Sequence, residues 1–281
     1  MLDDVAGLLI CPVCGADVAL AGAALRCTNG HTFDVARQGY VNLMPGGARP
    51  GTADTPDMVA ARAAFLETGH YHPLAAALAA LASVAEPDVV LDAGAGTGYY
   101  LAAVLDALRS RPGPGPVGVA LDISSRALRR AARAAPRIGA IAWDTWQPFP
   151  VRSGAASLIL NVFAPRNAPE FHRVLRPGGT LIVVTPAESH LAELIAPAAL
   201  LTVDEQKDSR LAATLGPYFS QSERRSLTIP LRLTHPEAAA LIAMGPSAHH
   251  TDPAATARHL ATLPSPLPVT AAFDLTVYHP R

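Results

Sequence analysis

Residues 87–108, PDVVLDAGAGTGYYLAAVLDAL, constrain the fold more than any other stretch. Val89 to Asp92 is a short apolar run bounded by Pro87 and a cluster of glycines, and it reads as a buried strand. Gly94, Gly96 and Gly98 follow as G-x-G-x-G, and the alanine- and leucine-rich run after them reads as a helix. Strand, glycine turn and helix in that order open a doubly wound α/β sheet, where ligands bind at the carboxyl ends of the strands. Glycines at that point let backbone approach a ligand closely. The spacing is not the G-x-G-x-x-G of a dinucleotide site, so no pyrophosphate is implied.

The alternation continues downstream. PVGVALDISSRALRRAARAAP (116–136) reads as a second strand ending in Asp122, then a helix capped by Ser124 or Ser125. AIAWDTWQPFP (140–150) supplies a third strand and Asp144, SLILNVFAP (157–165) a fourth ending in Asn161. RVLRPGGTLIVVTP (173–186) reads as a helix, a Pro-Gly-Gly turn and a fifth strand. An acid closing the second strand is placed to accept hydrogen bonds from both hydroxyls of a ribose. Asp144 is placed for the amino group of an adenine. SLTIPLRL (226–233) and TAAFDLTVYH (270–279) read as closing strands, the second in an antiparallel hairpin. Between them HPEAAALIAMGPSAHH (235–250) reads as a helix and loop, with His249 and His250 a surface pair. The ordered set resembles the class I S-adenosylmethionine-dependent methyltransferases. That resemblance implies a Rossmann-like, doubly wound seven-stranded sheet and S-adenosylmethionine as cofactor.

The three cysteines all fall in CPVCGADVALAGAALRCTNGH, residues 11–31. An odd set of three is a poor disulfide framework in a reducing compartment. Cys11, Cys14, Cys27 and His31 instead make a closed set of three thiolates and one imidazole, as a structural Zn²⁺ site requires. Pro12 and Gly15 favour the turn that aims two sulfurs at one ion, and Asn29-Gly30 supplies a second turn before His31. His70 and His72 are alternative fourth ligands, far along the chain. A zinc ribbon explains how so few residues with little core fold at all.

The chain has 281 residues, room for one large α/β domain with a small appended module. The expected division is a zinc-binding RNA-recognition domain over 1–46, a linker and helical segment over 47–86, and the methyltransferase domain over 87–281. The N-terminus carries acids where a signal peptide needs positive charge, and no apolar run approaches the roughly 18 residues of a membrane span. A cytoplasmic protein with no membrane partner is expected. Formal net charge is −1 and Lys207 is the sole lysine, so nucleic-acid binding would rest on local arginine patches.

Three further segments narrow the resemblance: HTFDVARQGYVNLMPGG (31–47), DTPDMVAARAAFLETGHYHPL (54–74) and TPAESHL (185–191). With the cysteine module they closely resemble the bacterial 23S rRNA (guanine-N1)-methyltransferases of the RlmA/TlrB type, over the whole chain and most strongly over 11–190. The resemblance implies that the zinc module helps recognise an rRNA hairpin and that the protein is a homodimer. It also implies that Tyr71, Gly96, Thr97 and His190 contact the cofactor. Joined to the glycine-loop and strand-end residues, the expected cofactor set is Tyr71, Asp92, Gly94, Gly96, Thr97, Gly98, Asp122, Asp144, Asn161 and His190. Two sister specificities exist in the family, at the neighbouring guanines 745 and 748 of a domain II hairpin loop near the peptide exit tunnel. The arginine-for-lysine bias of a GC-rich coding sequence tilts the expectation to 748, the tylosin-resistance branch, and hence to tylosin- or mycinamicin-type macrolide resistance.

Guanine N1 carries a proton on the Watson–Crick edge, so the base must be unpaired or flipped and the proton removed. The sequence names no general base. Asn161 and Glu188 are candidates for polar contacts near the reacting base. NVFAP is not the Asn-Pro-Pro-Tyr of the exocyclic-amine enzymes, which fits a ring-nitrogen target. Arg26, Arg37 and Arg49, in or near the zinc module, are the expected phosphate contacts, with Arg62 on the helix that follows. Arg126, Arg129, Arg130, Arg133 and Arg137 read as a solvated helix face. Two rival functions share these motifs. One is a small-molecule methyltransferase, against which the zinc module argues; the other is a non-catalytic zinc-ribbon RNA-binding protein, against which the intact GAGTG and Asp122 argue.

Overall fold

The computed structural model describes residues 1–45, 54–109, 113, 115–194, 207–245, 248 and 251–281. The chain opens with helix α1 (Leu2–Ala6), then β1 (Val18–Ala21), β2 (Ala24–Cys27) and β3 (Thr32–Asp34), a small antiparallel sheet in the order β1-β2-β3. A fourth short strand, β4 (Tyr40–Asn42), leaves that module. Two helices follow, α2 (Pro56–Glu67) and α3 (His72–Val84). Thr55 caps α2 by accepting the Met58 amide, and Pro56 occupies a first-turn position where its missing N–H costs nothing.

The main sheet is built from β5 (Val89–Ala93), β6 (Val117–Asp122), β7 (Ile138–Ala142), β8 (Ala156–Val162) and β9 (Leu175–Pro186), all parallel. They alternate with α4 (Tyr99–Leu108), α5 (Ser125–Ala134) and α6 (Ala168–Val174). Their apolar runs are continuous because helices cover both faces: every residue of β7 and β8 is buried. Past β9 come α7 (Lys207–Leu215), β10 (Phe219–Leu233), α8 (His235–Ala243), α9 (Pro253–Leu260) and β11 (Leu267–Pro280). β11 runs antiparallel to β9 and β10 antiparallel to β11, the predicted closing hairpin. The order is β10-β11-β9-β8-β5-β6-β7-β4. The chain builds outward from β5 to β7, then crosses back to lay β8 on the other side of β5. The strand order therefore reverses between β5 and β8, and a crevice opens at their carboxyl ends.

Among the described residues the sheet has eight strands rather than the expected seven. The extra strand is β4, which pairs parallel to β7 with Val41 opposite Ile141. The N-terminal module thus packs directly on the large sheet. Leu2, Val5, Leu9 and Leu25 share one core with Val119, Ile141, Trp143 and Phe149 of the large sheet. A Cβ on Gly139 of β7 would lie 2.0 Å from Val5 Cγ2, so α1 reaches the sheet only over a glycine. A five-residue helix is too short to stand alone. Burying Leu2 and Val5 contributes about 1.5–3 kcal/mol each, and that docking holds α1 in place.

Candidate active site

A cavity of about 600 Å³ opens at the carboxyl ends of β5, β6 and β8. Tyr71, Asp92, Gly94, Gly96, Thr97, Asp122, Asp144 and His190 all line it. These are eight of the ten residues expected at a cofactor, brought together from five separate segments.

The glycine loop and the acid of β6 are tied directly. The Gly96 amide donates to Asp122 Oδ2 at 2.8 Å and the Ser124 amide to Oδ1 at 2.7 Å. Burial pushes the Asp122 carboxyl up, while those two amides pull it back down. Asp92 is 2 % exposed, and burial, then the neighbouring Asp122, raise its pKa to about 8. Its Oδ1 has no hydrogen-bond partner among the described residues. Asp144 Oδ1 accepts the Trp146 amide at 3.0 Å, closing a small turn at the cavity's edge. Arg62 is the one arginine or lysine among the described lining residues; it is paired with Asp54 and donates to the Met244 carbonyl at 2.9 Å. Acids thus dominate, and a buried carboxyl oxygen without a partner lies at the floor. A ligand with hydroxyl donors and positive charge fits that lining, and S-adenosylmethionine carries both.

The opposite wall is aromatic. Tyr71, nearly fully buried, meets Phe65 and Phe273 edge-on at centroid distances of 5.0 and 5.2 Å. Burial raises its phenol well above the usual range. His190 lies over Phe273 at 4.7 Å, and its Nδ1 accepts the Ala272 amide at 3.2 Å. An acceptor Nδ1 leaves the ring proton of the neutral imidazole on Nε2, so His190 is a donor there.

Two expected cofactor residues do not line the cavity. Gly98 has φ 78°, and a Cβ there would lie 2.9 Å from Ala131 Cα, so this glycine lets α4 approach α5. Asn161 is fully buried; its Nδ2 donates to the carbonyls of Ala93 at 3.2 Å and Pro165 at 2.9 Å, holding the end of β8 against β5. Glu188 is exposed and lies outside the lining. Gly94, at φ 89°, is a close-approach glycine: a Cβ there would lie 2.3 Å from Ala164 Cβ. Sequence reasoning missed Tyr100, Trp146 and Phe163, all of which line the cavity. The only available signal was their place next to the glycine loop, Asp144 and Asn161.

Away from the cavity, the ligand atoms of Cys11, Cys14, Cys27 and His31 all lie within 4.8 Å of one another. Cys14 Sγ is 3.4 Å from Cys27 Sγ and 3.5 Å from His31 Nδ1, and Cys11 Sγ is 3.5 Å from the same nitrogen. A tetrahedral zinc site with Zn–S near 2.3 Å spaces its ligands by about 3.5–3.8 Å, so the set fits that ion. The Asn29 amide and side chain point at Cys27 Sγ and Cys14 Sγ at 3.3 and 3.5 Å, a polar outer shell for two thiolates. His70 instead meets Glu237 Oε1 at 3.2 Å, and His72 begins α3. Of the arginines, Arg26 and Arg37 are exposed on the module, and Arg126, Arg129, Arg130 and Arg133 form the exposed face of α5. Arg49, His249 and His250, residue 46 at the end of the expected zinc-binding domain and residues 47–53 of the expected linker lie outside the described residues.

Residues 9–49 match the family model of the RlmA N-terminal zinc ribbon. Over its length the chain is 50% identical to a protein of Micromonospora griseorubida named as a 23S rRNA (guanine-N1)-methyltransferase, covering 97% of each. It is 49% identical to the 23S rRNA (guanine(748)-N1)-methyltransferase of Streptomyces fradiae, covering 100% of this chain and 99% of the other. A Bacillus subtilis protein, YxjB, also named for guanine-N1 methylation of 23S rRNA, is 34% identical over 66% of each chain. With full-length identity on this scale, and the ribbon and cavity both in place, the chain belongs to the RlmA-type family of 23S rRNA (guanine-N1)-methyltransferases.

Proposed function

We propose that the protein transfers the methyl group of S-adenosylmethionine to N1 of guanine 748 of 23S rRNA, in a domain II hairpin loop. The observation that carries this reading is the acid-lined cavity at the strand-order switch, in a chain whose full length matches a guanine-748 enzyme. Asp122 and Asp144 would take the ribose hydroxyls and the adenine amino group, and Gly94 and Gly96 would let backbone close on the ligand. Asp92 and the Nε2–H of His190 supply polar contacts from floor and wall. When bound, the cofactor supplies an electrophilic methyl on a sulfonium.

The protein's contribution is chiefly position, since in-line displacement needs nucleophile and methyl held together and water kept out. The aromatic wall of Tyr71, Tyr100 and Phe163 excludes water. N1 must lose its proton, and a carboxylate or solvent accepts it. His190 does not serve as that base through Nδ1, which is occupied by the Ala272 amide.

The zinc ribbon, with Arg26 and Arg37 exposed, presents the rRNA contacts, and two copies act as a homodimer. Methylation at 748 points to resistance to tylosin- or mycinamicin-type macrolides as the physiological role. The test is incubation with methyl-labelled S-adenosylmethionine and 23S rRNA lacking the modification, followed by nucleoside digestion. Label in 1-methylguanosine supports the reading. Cofactor binding with no label in rRNA would turn the assignment to a small-molecule substrate.

A further inference from the structure

Four non-glycine residues of the described chain have positive φ: Glu86, Arg137, Phe163 and Leu191. Two of them, Phe163 and Leu191, line the cavity. Phe163 is the sharper case, with φ 54° on a bulky side chain that is 44 % exposed. Nothing in chain reversal requires phenylalanine there, since glycine or asparagine would hold the same conformation with less strain.

The turn that holds Phe163 is pinned from several sides. Its amide donates to the Val184 carbonyl at 3.2 Å, and Asn161 Nδ2 ties Pro165 to Ala93 across the switch between β5 and β8. Ala164 fits only because Gly94 lacks a Cβ. The ring itself is set by Tyr100, centroid distance 6.3 Å at 73°, and Phe273, 5.5 Å at 45°. A strained residue over-determined by its surroundings and exposed at a cavity is the kind of outlier that marks a ligand contact. The acids that suit a nucleoside lie on the β5–β6 side of the crevice, and Phe163 stands on the β8 side.

We propose that Phe163 is the platform on which the target guanine stacks once it leaves its RNA loop, an inference that rests on the methyltransferase reading above. N1 reacts through the Watson–Crick edge, so the enzyme must fix the plane of the base while leaving that edge clear. A ring against the base's face does both, which hydrogen bonds to the edge cannot. Asn161 is then a positioning residue: it holds the turn and never touches the base.

The experiment compares Phe163→Ala, Phe163→Leu and Phe163→Trp in the full-length protein. Cofactor affinity is read by calorimetry, and kcat and KM by methyl transfer to unmodified 23S rRNA. Stacking on an aromatic ring predicts a loss of about 10- to 100-fold in kcat/KM for the alanine variant. Its affinity for S-adenosylmethionine stays within about threefold of wild type. Tryptophan restores transfer, whereas leucine, similar in bulk but without a π face, stays near alanine. Wild-type turnover in the leucine variant overturns the proposal, because an apolar wall then suffices. A loss of cofactor affinity matching the loss of turnover also overturns it, by placing the ring against the cofactor. Failure of the methyltransferase reading itself would show earlier, as absent transfer by the unmodified protein.

Discussion

The Gly96 amide and the Asp122 carboxylate, 2.8 Å apart, join the glycine loop of β5 to the end of β6. One acid thus shapes the loop and also offers its remaining lone pairs to the cavity. Asp122→Ala strands the amides of Gly96 and Ser124, so a stability loss of about 1–3 kcal/mol is expected. Asp122→Asn keeps one acceptor and is the milder change in stability. Both variants should weaken S-adenosylmethionine binding at least tenfold. Urea denaturation and calorimetry separate the two effects. An asparagine variant that binds cofactor as wild type does would remove Asp122 from the binding role.

Asp92 makes the empty protein sensitive to alkali. Its carboxyl is raised to about 8 in the folded chain, against about 3.9 when unfolded. Between those values the folded state holds a proton that the unfolded state has released, so stability falls as pH rises, and the loss is complete above about pH 8. Tm should therefore be lower at pH 9 than at pH 6, and Asp92→Asn should flatten that slope. The cationic cofactor should raise Tm more at the alkaline end. A slope unchanged in the asparagine variant would locate the sensitivity elsewhere.

Gly98 and Gly94 look alike in sequence and differ in what they face. Gly98→Ala drives a Cβ into the Ala131 backbone of α5, and Gly94→Ala drives one into Ala164 beside the cavity. Both also force a side chain to positive φ, at a cost of about 1–2 kcal/mol. Gly98→Ala is expected to lower Tm with cofactor affinity little changed. Gly94→Ala should lower Tm and also cut turnover, because it displaces the turn that carries Phe163.

The ribbon shares its core with the large sheet, so metal loss should be felt throughout. Cys27→Ser is expected to abolish zinc retention, measured by atomic emission. It should also lower the single melting transition of the whole chain. A separate low-temperature transition, with the main one unmoved, would show the two parts to be energetically independent.

Much of this was legible in the sequence because it depends on local order. Strand, turn and acid follow one another at β5, β6 and β7, so Asp92, Gly94, Gly96, Asp122 and Asp144 were found without a structure. The metal set was legible for the same reason: three cysteines and a histidine within 21 residues leave few alternatives. What the sequence hid is long-range. The pairing of β4 with β7 depends on a three-residue strand too short to show periodicity. Gly98 belongs to the same run as Gly94 and Gly96, yet the packing of α5 sets its role. Asn161 ends a strand where ligands bind, but its side chain turns back to Ala93 and Pro165. Phe163 carries no motif, and only its backbone conformation and exposure reveal it.

The enzyme's product is a 23S rRNA methylated at N1 of a guanine. An N1-methyl group blocks Watson–Crick pairing, so the direct measurement is primer extension on 23S rRNA after incubation with enzyme and S-adenosylmethionine. A reverse-transcriptase stop immediately 3′ to guanine 748, absent without cofactor and absent with Asp122→Ala, is the predicted result. Full-length extension through the loop, from an enzyme shown to bind the cofactor, would contradict it.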